Sequence, residues 1–434
     1  MASTYLQRTN TSGTNTFTFS AWVKLCNPEK TANQWIFTSD SSGLMTRDSN
    51  TGADGGEEFH FYNSSNNTNY YSGAKRRDIS GWYHIVLSSN SGTGTLYVNG
   101  ETDKTGIVVP TLSTSSNAMQ IGRLASNGND NFDGLMSHVH FIDGTAYDAS
   151  AFGSVDSATG EWKINTSPSV TYGSQGFFIL KDGNSVTDQS GNSNNLTVGG
   201  GTLTKTEDCP SNVFATFNRL SGAQTMAVNS TFANGNNKVT CGGTVYAPFG
   251  STIGVNSGKY YAEFKIKSAA ADGMIGIFAK NGTSNSHYLG NLAYQYCWYN
   301  DSGRIIGNNA NIQTGVGQYT TNDIIGIALD CTNNKLYFHK NGTYITNGSG
   351  TGNPSSGTYG YSITDPASTD LGFYFMAAMD WGGSTRAIWE ANFGNGYFGT
   401  TAVSSAGTNA SNNGIFEYDV PTGYTALSTK GLNL

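Results

Sequence analysis

Short runs in which apolar and polar residues alternate recur along the whole chain. The run from Phe17 to Leu25 alternates ring or aliphatic side chains with small polar ones over most of its length, which predicts a β-strand with one buried face. An Asn99-Gly100 pair supplies the positive φ of a tight hairpin, so neighbouring strands are expected to be antiparallel. Similar runs, mostly bounded by Gly, Asn, Ser or Asp, lie at 35–38, 59–62, 83–88, 95–98, 119–121 and 135–142.

The second half repeats this pattern, and no convincing amphipathic helix interrupts it. Its strand-like runs lie at 260–267, 274–279, 324–329, 335–339 and 371–377. Between the halves, the Gly-rich and Pro-punctuated interval 196–210 predicts a linker or a long surface turn. We therefore predict an all-β fold class, with two antiparallel β-sandwich (jelly-roll-like) domains in tandem. The first covers 1–210, including a junction segment, and the second covers 211–434.

Composition agrees with a folded protein and excludes several partners. The 434 residues include 56 glycines, 37% hydrophobic and 12% charged positions, which is too much apolar surface for a disordered chain. A net charge of −7 disfavours nucleic acid. No apolar run reaches the length of a membrane span, and the chain opens without an export signal. Five scattered cysteines fit neither a disulfide framework nor a zinc site, so we expect reduced, mostly buried thiols.

The first half contains an ordered set of short motifs. They are FSAWVK (19–24), GWYHIV (81–86), LYVNG (96–100), IGR (121–123), FDG (132–134) and FIDG (141–144). Each motif alone is common in hairpins, but their order and spacing resemble the laminin G-like, concanavalin A-like sandwich family over roughly the first 155 residues.

A second ordered set lies at about 250–400. It consists of SGKYYAE (257–263), IGI (275–277), DIIGIALD (323–330), LYFHKNG (336–342) and ANFG (391–394), and it resembles a SPRY-type sandwich. In both halves these motifs place turn residues beside short strands. They are scaffold features and not catalytic ones.

Three further segments resemble virion proteins of marine bacteriophages. They are DQSGNSNN (188–195), DCPSNVFATFNRL (208–220) and VPTGYTALS (420–428). The resemblance implies a virion structural protein, assembled in the host cytoplasm with other virion proteins and expected to be a homo-oligomer. A tail-attached fibre or adhesin module that contacts host surface glycans is the first interpretation. The alternatives are a capsid decoration protein (head fibre or cement) and a secreted carbohydrate-binding adhesion protein, which the missing export signal disfavours.

The carboxylates do not suggest an enzyme. Glu57 and Glu58 precede a strand and would point to opposite faces, and Glu263 and Glu390 stand alone, so all are interpreted as solvated strand carboxylates. A glycosidase needs two carboxylates across the scissile bond. We predict a protein without catalytic residues, with a low residual chance of glycan-degrading activity.

No cofactor or metal is predicted either. His138 and His140 fall on one strand face, but no acidic or Cys partner accompanies them, and a polar face or interface is favoured. The segment 188–195 is rich in oxygen side chains but has one carboxylate, which favours an Asx-rich turn over a Ca²⁺ loop. His84 and His339 are interpreted as packing or surface residues.

Two segments have the composition of a carbohydrate-binding loop, in which a ring lies against a sugar and polar groups bind its hydroxyls. The first is a polar loop at 63–73 with paired rings, followed by positive charge at 75–77; the second spans 380–386. Packed rings or contacts to a neighbouring subunit explain the same composition. The candidate ligand-binding residues are Tyr70, Tyr71, Arg76, Arg77, Asp380, Trp381 and Arg386.

Overall fold

The protein was analysed as a computed structural model. The structure describes residues 4–28, 30, 32–47, 57–126, 128, 130–181, 185–220, 230–242, 248–280, 287–381 and 386–433. The chain divides into two compact units, residues 1–211 and 212–434, which are described separately.

The first unit consists of two antiparallel sheets and a small two-stranded ribbon. One sheet has seven strands in the order β15-β1-β10-β3-β4-β5-β6, the other has six in the order β14-β11-β2-β7-β8-β9, and β12 pairs with β13. Its strands are β1 (Tyr5–Arg8), β2 (Phe17–Leu25), β3 (Gln34–Ser39), β4 (Ser42–Arg47), β5 (Glu58–Asn63), β6 (Thr68–Tyr71), β7 (Tyr83–Asn90), β8 (Thr93–Val98), β9 (Glu101–Val108), β10 (Met119–Ile121), β11 (Gly134–Asp143), β12 (Gly153–Val155), β13 (Trp162–Ile164), β14 (Phe177–Ile179) and β15 (Thr197–Gly200). A 3₁₀ turn spans Ala149–Ala151.

The core of this unit lies between its two sheets. Phe17 and Phe19 of β2 meet Phe37 of β3 across it, with the Phe19 and Phe37 rings stacked at 4.5 Å. These residues alternate along their strands, as the hydrophobic pattern predicts. The all-β sandwich prediction is therefore confirmed for this half of the chain.

Strand β2 differs from its prediction because both of its faces are buried. All nine residues are inaccessible, including the polar Thr18, Ser20 and Lys24. The outer face of the six-stranded sheet is covered by a second apolar cluster, in which Phe152 and Trp162 pack beyond the sheet. Residues from outside the sheet bury this face, so local alternation could not reveal it.

The interval 196–210, predicted to be a linker or a long surface turn, contains a short edge strand. Strand β15 pairs antiparallel with β1 at the edge of the seven-stranded sheet. Asp208 then returns to the six-stranded sheet, where its carboxylate is 2.8 Å from Lys24 Nζ. A Gly-rich composition permits an edge strand as well as a turn, because edge pairing needs backbone groups more than side chains.

Tight hairpins join many neighbouring strands. Asn99 and Gly100 connect β8 to β9 with φ of 50° and 85°, and Val98 lies directly opposite Glu101. Positive φ at both loop residues defines a type I′ turn, which agrees with the prediction from the Asn-Gly pair.

The second unit is also a pair of sheets, and its strands are antiparallel except for the parallel pairing of β32 with β19. The larger has the order β16-β17-β29-β19-β24-β25-β26, with β27 paired to β25 and β32 to β19; the other has the order β18-β28-β20-β21-β22-β23, and β30 pairs with β31. Its strands are β16 (Thr231–Ala233), β17 (Lys238–Thr240), β18 (Phe249–Gly250), β19 (Lys259–Ser268), β20 (Gly273–Phe278), β21 (Gln295–Tyr299), β22 (Arg304–Gly307), β23 (Ala310–Thr314), β24 (Ile324–Asp330), β25 (Lys335–Lys340), β26 (Thr343–Tyr344), β27 (Tyr361–Ser362), β28 (Phe375–Asp380), β29 (Ile388–Asn392), β30 (Tyr397–Phe398), β31 (Thr401–Ala402) and β32 (Thr425–Ala426). Short 3₁₀ turns span Pro366–Ser368 and Gly431–Asn433.

The core of the second unit is rich in large rings. Tyr296 and Trp298 of β21 are 2% and 1% exposed, and Trp298 packs edge-on against Tyr319 and Phe338. These alternating rings form a core stripe along β21. The chain after β31 packs on the outer face of the larger sheet, where Phe416 meets Tyr261.

Within the part of the chain that the structure describes, no helix is long and apolar enough to cross a bilayer. The five cysteines form no disulfide; four are buried and Cys209 is partly exposed.

Candidate functional site

The predicted polar loop around Tyr70 is a strand. β5 and β6 form a hairpin in which Phe61 lies opposite Tyr70 and His60 opposite Tyr71. Successive side chains of a strand point to opposite faces, so the two rings are separated. Tyr70 packs against the core, whereas Tyr71 lies on the outer face, with its ring centroid 5.0 Å from that of His60. The many polar residues of this segment suggested a loop, but pairing with the core strand β5 extends it.

The outer face of this hairpin carries a second ring and an amide. Tyr62 lies opposite Asn69, on the same face as Tyr71. The Tyr62 hydroxyl donates to Asn67 Oδ1 at 3.0 Å, and its ring meets Trp35 edge-on at 6.3 Å. Because β6 ends the order of the sheet, these partly exposed rings and the exposed Asn69 lie at a sheet edge.

Both predicted arginines form ion pairs. Arg77 Nε donates to the carboxylate of Glu57, and 60% of the Arg77 side chain remains exposed. Arg76 Nη2 lies 3.2 Å from Asp103 Oδ1, and Asp103 belongs to β9, the edge strand of the other sheet. The local positive charge inferred from the sequence is thus balanced by two carboxylates. A guanidinium has five N–H donors, so each arginine keeps donors beyond its ion pair.

The chain after β6 continues along β5. Ser72 N donates to Phe59 O at 3.1 Å, and Arg76 N donates to Glu57 O at 2.6 Å. Arg76 and Arg77 therefore follow Tyr71 along one edge of the sandwich. We call this region the hairpin-edge surface, which is formed by Tyr62, Asn69, Tyr71, Arg76 and Arg77. It combines rings, an amide and planar guanidinium donors, which are the groups that bind sugar faces and hydroxyls.

The second predicted segment is different. Asp380 is 1% exposed and its Oδ2 accepts a hydrogen bond from Ala387 N at 2.9 Å, so this carboxylate is not available to a ligand, contrary to the prediction. Trp381 is 41% exposed directly after β28, and Arg386 is half-buried. Residues 382–385 lie outside the described residues. Trp381 is thus the large exposed ring that this segment presents.

His138 and His140 do not share a regular strand face. The pairing of β11 with β2 shifts register between Ser137 and His140, and His138 has a φ of 48°. His138 Nδ1 bonds to Ser137 Oγ at 2.8 Å, and His140 Nδ1 to Tyr172 Oη at 2.9 Å. Burial and the neighbouring His138 hold the pKa of His140 well below its usual value. Among the described residues, no group of three or more His, Cys, Asp or Glu is arranged to hold a metal ion.

Glu263 is buried, which corrects its interpretation as a solvated carboxylate. It is 0% exposed and accepts four hydrogen bonds: Tyr261 Oη at 2.9 Å, Asn392 Nδ2 at 3.3 Å, and the backbone N–H groups of Glu417 and Tyr418 at 2.8 Å each. Burial raises its pKa to about 7 against the lowering effect of these donors. The network ties the C-terminal segment to β19, so we assign Glu263 a structural role.

His339 extends the same network. Gly342 N donates to His339 Nδ1 at 3.1 Å, so Nε2 carries the ring proton and faces Tyr261 Oη at 2.6 Å. Burial lowers the pKa of His339 to about 3, which keeps the ring neutral. Gly326 is required here, because a methyl group at that position would overlap the His339 ring. The prediction of a packing role for His339 is confirmed.

Glu390 is also removed from solvent. It is 6% exposed and lies 3.5 Å from Lys238 Nζ on the neighbouring strand. The ion pair of Glu390 with Lys238 joins the neighbouring strands β29 and β17 and stabilises their pairing. The sequence could not show this ion pair, because Lys238 and Glu390 are far apart in the chain.

The segment 188–195 forms the predicted Asx-rich turn. The Asp188 carboxylate accepts hydrogen bonds from Phe178 N, Ser190 N and Asn194 N at 2.8–2.9 Å, and Asn195 Oδ1 accepts from Asp188 N at 2.8 Å. Backbone donors therefore satisfy this carboxylate.

Sequence inspection missed two members of the hairpin-edge surface and the ion-pair partner of Arg76. Tyr62 and Asn69 could have been found from the alternation in 58–63 extended across a hairpin. Asp103 had no sequence indication, because it reaches Arg76 from the edge of the other sheet.

Family models match both halves of the chain. Residues 2–151 match the concanavalin A-like lectin/glucanases superfamily, in its laminin G form, and residues 259–352 match the SPRY domain. The chain carries one domain of each family. The concanavalin A-like model covers β1 to β11 and so includes the hairpin-edge surface, and the SPRY model covers β19 to β26.

Several solved structures are similar to parts of the chain. The SPRY domain of human HERC1 is 16% identical, with 40% of this chain and 96% of that chain covered at a TM-score of 0.30. A provisionally assigned carbohydrate-binding protein from Bacteroides ovatus is 20% identical. The similarity covers 46% of this chain and 56% of that chain, at a TM-score of 0.33. The chain is 23% identical to domain 4 of AbnA, an extracellular arabinanase from Geobacillus stearothermophilus, in complex with arabinotriose. The similarity covers 31% of this chain and 64% of that chain, at a TM-score of 0.25. These scores support no argument about function. No curated protein sequence matches the chain.

Proposed function

We propose that the concanavalin A-like unit binds glycans at the hairpin-edge surface. The observation that carries the proposal is the placement of Tyr62, Asn69 and Tyr71 on one outer face at a sheet edge. A half-exposed ring offers a flat apolar surface to a sugar, and amide or guanidinium groups bind its hydroxyls. The lectin-like family of this unit supports the same conclusion.

The ligand of this surface is an uncharged glycan. Arg76 is paired with Asp103 and Arg77 with Glu57, so the two guanidinium charges are already neutralised. An anionic sugar would have to displace these carboxylates or lie beside them, at an electrostatic cost. Paired arginines instead remain as oriented hydrogen-bond donors.

A glycan array with the full chain tests the proposal. Tyr71→Ala should reduce binding about two- to twelvefold, because stacking of one ring contributes about 0.5–1.5 kcal/mol. Val155→Ser, at an exposed position of the same unit, is the matched control and should bind like the wild type. Loss of binding with Trp381→Ala and not with Tyr71→Ala would move the site to the second unit. Binding of sulfated or acidic glycans alone would contradict the uncharged ligand.

We further propose that the protein acts as an exposed virion component, most simply a tail-attached adhesin. The resemblance of segments 188–195, 208–220 and 420–428 to phage virion proteins supports this role. Homo-oligomerisation would convert weak single-site contacts into avidity. The proposed role is binding, and the buried Glu263 takes no part in it.

Quantitative mass spectrometry of purified particles tests the virion role. A low copy number relative to the major capsid protein, of the kind typical of tail components, supports the adhesin. A capsid-like ratio would assign the protein to capsid decoration. Absence from particles would contradict the virion role and favour a secreted carbohydrate-binding protein.

A further inference from the structure

A fully buried lysine and aspartate meet at the outer face of the six-stranded sheet of the first unit. Lys24 Nζ lies 2.8 Å from Asp208 Oδ2, and the two side chains are 0% and 1% exposed. They are 184 residues apart in sequence. The other carboxylate oxygen, Oδ1, accepts a hydrogen bond from Trp82 Nε1 at 3.0 Å. Lysine is almost never fully buried in proteins unless it is paired.

Two further buried side chains, Trp22 and His84, share this face with Lys24. Lys24 lies opposite Leu135 of β11, and Trp22, two residues earlier on the same face, stacks on His84 at 4.9 Å. His84 is 0% exposed, and burial holds its imidazole neutral. Two charges in such a place carry a large desolvation penalty, which conversion to a neutral group would remove.

We propose that Lys24 and Asp208 condense into an intramolecular amide bond. A proton passes from the Lys24 ammonium to Asp208 Oδ2, which leaves a neutral amine and a carboxylic acid. The amine lone pair then attacks Cγ and forms the N–C bond. The Cγ–Oδ2 bond breaks, and Oδ2 leaves as water with the transferred proton and one further proton from the amine. No oxidant, reductant or cofactor takes part.

Trp82 is placed to assist this step. Negative charge accumulates on Oδ1 as the amine attacks, and the indole N–H is directed at that oxygen. In the product, Oδ1 is the amide oxygen and keeps the same donor, so it remains satisfied. Burial also protects the amide, because the exclusion of water slows the reverse hydrolysis. The bond would join the first long strand, β2, to the final segment of the unit.

The intact mass of the denatured full chain tests the proposal. We expect a mass lower than that of the unmodified sequence by one water. Loss of water at aspartate also occurs by succinimide formation, so a tryptic digest must show the peptide containing residue 24 joined to the peptide containing residue 208. Lys24→Arg keeps the positive charge but replaces the amine nucleophile, and Asp208→Ala removes the acceptor. Both variants should have their full calculated masses.

The Trp82→Phe variant distinguishes a role of Trp82 in amide-bond formation from a role in packing. Freshly purified Trp82→Phe protein should show a lower cross-linked fraction than the wild type, with an unchanged circular dichroism spectrum. If the cross-linked fraction of this variant equals that of the wild type, Trp82 does not assist the formation of the amide bond. A wild-type chain of full mass, without the joined peptide, would overturn the proposal and leave an ion pair only. That result does not depend on whether any variant folds.

Discussion

Replacing Glu263 with glutamine should flatten the pH dependence of the second unit. Glu263 is fully buried, accepts four hydrogen bonds, and has no cation among these four donors. Burial therefore dominates, and its pKa is raised from an ordinary 4.5 to about 7. Glutamine keeps the shape and one acceptor oxygen, but it does not titrate.

The direction of this pH dependence follows from the difference in proton binding between the folded and the unfolded state. Between pH 4.5 and about 7 the folded state holds a proton on Glu263 that the unfolded state has lost. The stabilisation from this group is therefore complete below the ordinary pKa and disappears as the pH rises through the folded value. The difference in pKa corresponds to about 3 kcal/mol of unfolding free energy. The buried His339 acts in the opposite direction, since its stability contribution is lost as the pH falls below its ordinary value.

The comparison of wild type with Glu263→Gln isolates the carboxylate. Urea unfolding and hydrogen exchange of peptides from β19 and residues 404–428 should be measured at pH of about 5 and about 8. We expect the wild type to lose about 3 kcal/mol more than the variant between these conditions. Asp370→Asn, which removes a carboxylate that is about half exposed, is the control and should behave like the wild type. Parallel pH profiles of wild type and Glu263→Gln would refute the reasoning.

Three other substitutions test the packing directly. Phe19→Ala should destabilise the first unit by about 3–5 kcal/mol in chemical denaturation, because it leaves a cavity between the sheets. Gly326→Ala should lower the unfolding free energy of the second unit by about 1–3 kcal/mol, because the added methyl group overlaps the His339 ring. The double variant with His339→Ala should recover part of this loss. Additive effects of the two substitutions would contradict the overlap. Asp188→Ala removes the acceptor of three backbone N–H groups, so limited proteolysis should cut within 188–195, where the wild type resists.

The predictions that succeeded depended on local patterns. Strand β2 has the predicted bounds Phe17–Leu25, and Asn99-Gly100 makes the predicted turn. Alternation and positive φ are properties of a few consecutive residues, and backbone sterics fix their outcome. The family motifs share this origin, since they combine strands with the turns that join them.

The predictions that failed concerned which surfaces are covered. Strand β2 was predicted to have one buried face and Glu263 to be solvated, yet segments that follow much later in the chain bury Lys24 of β2 and Glu263. The pattern of a strand shows that two faces differ, but it does not show what packs on the second face.

The sequence by itself therefore determined the fold class, the bounds of strands such as β2 and the residue types at the candidate site. Tertiary structure alone decided that Tyr71 and not Tyr70 faces outward, that Arg76 and Arg77 are neutralised, and that Lys24 meets Asp208. The physical reason is that face, charge pairing and burial depend on register between strands and on segments far apart in the chain. Local propensity does not encode those contacts.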